Sequence, residues 1–134
     1  MNNKLLHRKG FFAFLFLWMF CATSCQKADD NGALGGFWKL MEVEYAADGT
    51  VKDLKKKSYF MAVQLDLMKI SGEYYARFSH EGDSLFVWMI GDVSQGCLDI
   101  FAFDAPEQRF CVERLNGKSL VLKSKYSRLR FKKF

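Results

Sequence analysis

From Gly35 onward the chain is cut into short apolar or alternating runs by Gly, Asp, Asn and Ser, and no stretch sustains a helical 3.6-residue period. That punctuation limits the fold more than any other feature. Eight runs read as strands: residues 37–45, 59–70, 74–80, 85–90, 97–103, 109–115, 120–125 and 128–133. Turn signals separate them at Asp48-Gly49, Ser71-Gly72, Glu81-Gly82-Asp83 and Asn116-Gly117. Within 59–70, Met61, Val63, Leu65 and Leu67 fall on one face, with Gln64 and Asp66 on the other. Residues 51–57 read as a loop or a short helical turn. The expected class is all-β. Consecutive short hairpins favour an antiparallel up-and-down barrel of eight strands, because closure removes exposed edges. A two-sheet β-sandwich is the alternative.

The amino-terminal segment reads differently. Residues 11–20 are ten consecutive apolar residues, preceded by Lys4, Arg8 and Lys9. A span of the bilayer core needs roughly 20 residues in a helix, so this run is too short to cross. Basic flank, apolar run and the small residues Ala22-Thr23-Ser24 fit a cleaved signal sequence. The segment ending at Cys25 resembles a bacterial lipobox, in which a cysteine follows small residues and receives lipid. It departs from the commonest pattern, which has Leu three places before the cysteine and Gly or Ala just before it. The resemblance implies a signal peptide at 1–24, lipid on Cys25 and a polar tether over 25–34, with the folded domain at 35–134. Asp29-Asp30 resembles the acidic signals that send some Gram-negative lipoproteins to the outer face of the outer membrane. The implied location is the outer membrane, with the periplasmic and surface faces both open.

Setting residues 1–24 aside changes the apparent character of the chain. Of 134 residues 110 remain, enough for one domain. The 20 basic residues fall by three to 17, against 15 acidic residues, so the net charge drops from +5 to +2. A nucleic-acid partner loses its electrostatic basis. Cys97 and Cys111 then remain beside the lipidated Cys25. They flank an expected turn at Asp104-Ala105-Pro106-Glu107, which makes a cross-strand disulfide a candidate in an oxidising compartment; two free thiols are the alternative. There is no CxxC spacing that would point to metal or redox chemistry.

Leu34-Gly35-Gly36-Phe37-Trp38-Lys39-Leu40 resembles the opening Gly-x-Trp strand of lipocalins and calycins. Residues 112–122 and 129–133 resemble the closing strands of small bacterial lipocalin-like lipoproteins. The resemblance implies that Trp38 closes one end of the barrel and that a basic residue of the last strand stacks on it. Arg128, Arg130 and Lys132 are the candidates. It further implies binding of a small hydrophobic or amphipathic molecule. The domain is shorter than a full lipocalin, and a short eight-stranded barrel can be filled by its own side chains.

The residues offer little to catalysis. Once the signal is removed, His80 is the one histidine, and it reads as a turn residue. No nucleophile elbow or phosphate loop is present. Neither a metal nor a cofactor is expected, nor an enzyme. Tyr59, Tyr74, Tyr75, Phe78, Phe86 and Trp88, with Trp38, are the candidate ligand-binding residues; as core filling they would need no ligand. Residues 85–90 are apolar on both faces, which suggests an exposed patch. The leading expectation is a lipid-anchored envelope protein that binds a small ligand inside the barrel. The alternative is a filled barrel whose outside contacts an envelope protein, with inhibition of an enzyme there as a special case.

Overall fold

The computed structural model describes residues 31–71 and 73–134. The expected signal sequence, Cys25 and tether residues 26–30 lie outside the described residues. Among those described are nine strands: β1 (Gly36–Tyr45), β2 (Val51–Asp53), β3 (Phe60–Gln64), β4 (Leu67–Ile70), β5 (Tyr74–Glu81), β6 (Ser84–Met89), β7 (Glu107–Leu115), β8 (Ser119–Lys123) and β9 (Ser127–Lys133). A helix, α1 (Gln95–Ile100), lies between β6 and β7, and a 3-10 turn (Gly32–Leu34) precedes β1.

The expected barrel is present. Every pairing is antiparallel, and β1, β3, β4, β5, β6, β7, β8 and β9 close on themselves through β1–β9. Strand β1 carries the closure. One edge pairs with β9 from Trp38↔Lys133 to Tyr45↔Ser127. The other is divided, with Gly36–Lys39 on β3 and Glu42–Glu44 on β2. A bulge between Leu40 and Glu42 bends the strand between those two partners and resets its alternation. Trp38 and Leu40 point inward before the bulge, Val43 after it.

Four expectations about elements need correction. Residues 59–70 are two strands, not one. Gln64 pairs with Leu67 across a two-residue turn at Leu65-Asp66, and Leu65 takes a left-handed φ of 55°. The chain reverses there, so Met61, Val63, Met68 and Ile70 are buried while Leu65 and Leu67 are exposed. Residues 97–103 are not a strand. Ser94 caps α1 by accepting from the Cys97 amide at 3.2 Å, and the segment closes as a turn of helix. Residues 51–53, expected as loop or helix, form β2. His80, read as a turn residue, lies within β5 opposite Leu85.

Two ends follow from the topology. At the lower end lie the chain entry at Asn31–Gly36, the β3–β4, β5–β6 and β7–β8 turns, and Phe134. At the upper end lie the β1–β2 turn, the β4–β5 and β8–β9 turns and the segment carrying α1. The interior is apolar: Trp38, Leu40, Met61, Met68, Ile70, Leu85, Val87, Phe110, Leu120, Leu122, Leu129 and Phe131 are buried. Burial of each such side chain contributes about 1.5–3 kcal/mol.

Candidate functional site

The upper end is where a barrel of this kind would admit a ligand, and here α1 occupies it. Cys97, Leu98, Phe101, Ala102 and Phe103 are buried against the core. The Ser127 hydroxyl donates to the Ala102 carbonyl at 3.0 Å, and the Tyr74 hydroxyl bonds Ser94 Oγ at 2.9 Å. Both contacts tie the segment to the rim. The space left among Ile70, Met89, Cys97, Leu98, Phe101 and Phe103 has no room for a water molecule. Burial, reinforced by the nearby charge of Glu73, pushes the Cys97 thiol up from its ordinary value.

The lower end is closed by Trp38. Its Nε1 donates to the Leu34 carbonyl at 2.8 Å, and Leu34, in the 3-10 turn, is itself fully buried. A basic residue does stack on this ring, but it is Lys133, with Nζ 4.5 Å from the ring centroid. Lys133 also donates to the carbonyls of Ala33 and Gly35. The expected candidates Arg128, Arg130 and Lys132 are on the opposite face. In β9, Ser127, Leu129 and Phe131 point inward, and Lys133 shares their parity. Arg128 and Arg130 instead form an outer ladder with β1 and β7: Arg128 to Glu113 at 2.6 Å and Glu44 at 2.7 Å, Arg130 to Glu42 at 2.9 Å. The hydrogen bonds Arg128 donates to Glu113 and Glu44 hold it charged well above its ordinary range, and Arg128 holds Glu113 below the usual carboxylate range.

The candidate ligand-binding aromatics divide by strand parity. Trp38 is core. Tyr59, Tyr74 and Phe78 are partly buried and pack against the core. Tyr75, Phe86 and Trp88 face outward. Phe86 and Trp88 lie 5.2 Å apart between centroids, and the Arg109 guanidinium stands 4.6 Å over the Phe86 ring. The register sets Arg77 beside Trp88 and Arg109 beside Phe86, with Tyr75 and Ile90 exposed farther along the same outer face. Residues 85–90 are apolar on both faces in the sequence, and the structure separates the two. The inner face is Leu85, Val87 and Met89; the outer one is this aromatic pair. No local sequence signal marks Arg109, because its position against Phe86 depends on the β6–β7 register.

The candidate disulfide is absent. Cys97 is buried on α1 and Cys111 is exposed on β7, and both are free thiols. The pairing assumed a hairpin of two strands about residue 104, and the first of those strands is a helix. Cys111 lines an open groove of about 930 Å³ on the outside of β7, with Ser84, Arg109, Glu113, Lys123 and Tyr126 among its walls. Among the described residues no cluster of three His, Cys, Asp or Glu side chains is placed to hold a metal ion.

The fold and its two closed ends define a small calycin-like barrel, sealed below by a tryptophan–lysine pair and plugged above by a helix. The chain matches the family model of the lipocalin-like domain over residues 18–134, and it belongs to that family. A lipocalin-like protein from Bacteroides uniformis ATCC 8492 is similar in structure, with a TM-score of 0.65 and 25% identity over 77% of this chain and 100% of its own. A protein from Bacteroides eggerthii DSM 20697 shares the fold, with a TM-score of 0.59 and 23% identity over 75% of this chain and 98% of its own. No match was found among curated proteins. A lipocalin-like barrel is a fold suited to small-ligand binding.

Proposed function

We propose that the protein is a lipid-anchored, non-catalytic lipoprotein of the outer membrane that binds through the outside of a filled barrel. Its partner is an envelope protein. The observation that carries this reading is the packed upper end: Leu98, Phe101 and Phe103 occupy the place of a ligand, and the space beside them admits no water. The binding face is the outer surface of β5, β6 and β7, where Phe86 and Trp88 stand between Arg77 and Arg109. Aromatic and arginine side chains together are the usual anchors of protein interfaces. A photo-crosslinking residue in place of Trp88, in the native host, should give an adduct with one envelope protein that is lost on Phe86→Ala. Crosslinks only to lipid, or to many proteins without dependence on Phe86, would overturn the partner reading.

A second reading places a small hydrophobic ligand in the barrel. The composition of the plug favours it. Displacing α1 would vacate a site already lined by Ile70 and Met89, and α1 is only six residues long. Ligand binding would then require outward movement of residues 90–106.

A further inference from the structure

The lower end has an apolar surface that neither the core nor the outer aromatic face of β6 accounts for. Phe134 is 82% exposed, Leu65 68% and Phe37 59%. They are grouped. The Phe134 amide donates to the Phe37 carbonyl at 2.9 Å, and the Phe134 ring meets Phe60 edge-on at 5.2 Å. Phe37 and Phe60 both occupy outward positions, on adjacent strands.

Leu65 stands at the tip of the β3–β4 turn with φ of 55°, in a conformation where glycine or asparagine is the ordinary choice. Water would favour a polar residue there as well. The sequence instead holds an exposed leucine at the tip of this turn. Lys118, in the β7–β8 turn, and Lys132, on β9 two residues before Phe134, are exposed at the same end and enter no ion pair among the described residues.

The chain reaches the barrel at the same end. The Asn31 side-chain amide donates to the Leu65 carbonyl at 2.7 Å. Cys25 is six residues before Asn31, and six extended residues span at most about 20 Å. A lipid on Cys25 would therefore hold a bilayer within that reach of Leu65.

We infer that the lower end of the barrel is a membrane-docking face, with Leu65, Phe37 and Phe134 entering the headgroup region of the bilayer that holds the lipid anchor, and Lys118 and Lys132 facing anionic headgroups. This inference rests on the proposed lipidation of Cys25. Exposed apolar groups that are costly in water are favourable at the boundary of headgroups and acyl chains, and basic residues add attraction to anionic lipid. The orientation that results points the upper end away from the membrane.

The test uses the mature lipidated protein in vesicles of mixed zwitterionic and anionic lipids with brominated acyl chains. Leu65→Trp is compared with Thr50→Trp, an exposed site in the β1–β2 turn at the upper end; both are read against the parent protein. Bromine quenching of the added tryptophan should be at least about twofold greater at position 65 than at position 50, since contact quenching requires burial near the acyl boundary. Phe134→Trp should behave as Leu65→Trp does. Mass spectrometry of the peptide containing residue 25 separates the two failures. An acylated Cys25 with equal quenching at both sites overturns the docking face and leaves the anchor. An unmodified Cys25 overturns the anchor and the docking face with it.

Discussion

The ammonium of Lys133 lies 4.5 Å from the centre of the Trp38 ring and donates to the carbonyls of Ala33 and Gly35, so one side chain joins β9, β1 and the chain entry. Lys133→Ala should cost about 1–2 kcal/mol in urea unfolding, the sum of a cation–π contact and lost hydrogen bonds. Lys132→Ala, one residue away on the outer face, should change stability by less than about 0.5 kcal/mol. Equal effects would show that the stacking carries no stability.

Gly36 makes that approach possible. Its φ is +111°, and a Cβ built there would stand 2.9 Å from Lys133 Nζ. Gly36→Ala should destabilise by about 1–3 kcal/mol, as expected of a side chain forced into a sparsely populated backbone region. Gly117→Ala should fall within about 0.5 kcal/mol of the parent, since a Cβ there would meet open space. Chemical denaturation of both variants provides the comparison.

The inward and outward aromatics should separate in energy. Phe101, buried in the plug, should cost about 3–5 kcal/mol on replacement by Ala. Phe86→Ala on the outer face should cost less than about 1 kcal/mol. Thermal melts that reverse this order would contradict the assignment of faces.

Cys97 and Cys111 should react in sequence. In the folded protein at neutral pH, alkylation followed by peptide mapping should label Cys111 and spare Cys97, whose thiol is buried and shifted up. Denaturant should expose Cys97 to the reagent without prior reduction. A requirement for reductant would show that the two are bridged.

Glu113 provides an acid dependence. Arg128 lowers its folded pKa below the unfolded value, so its contribution is present above the unfolded pKa and is lost as pH falls through the folded one. The stability gap between the parent and Glu113→Gln should persist from neutral pH down to the ordinary carboxylate range and close below it. Urea unfolding at a series of pH values measures this. A gap independent of pH would remove the ion pair from the account.

Closure of the barrel and its consecutive hairpins were legible in the sequence, because alternation and turn residues are local signals; the role of Trp38 followed from the resemblance of its segment to the opening lipocalin strand. The barrel's count of eight strands came out right for mixed reasons, with β2 as a ninth strand outside the ring. One expected strand was two, since nothing local announces that Leu65 takes a left-handed turn. Another was a helix, whose one signal was Ser94 placed to cap the Cys97 amide. Lys133 could have been found by extending the inward parity of Leu129 and Phe131. The Arg109–Phe86 contact and the three phenylalanines at the lower end could not, because each depends on which strands become neighbours.

Native mass spectrometry of the protein extracted from its host envelope under mild conditions tests the filled barrel most directly. The account predicts the mass of the polypeptide and its anchor alone, with no small molecule retained at stoichiometric occupancy. A reproducible one-to-one small-molecule adduct would contradict it and place the ligand inside.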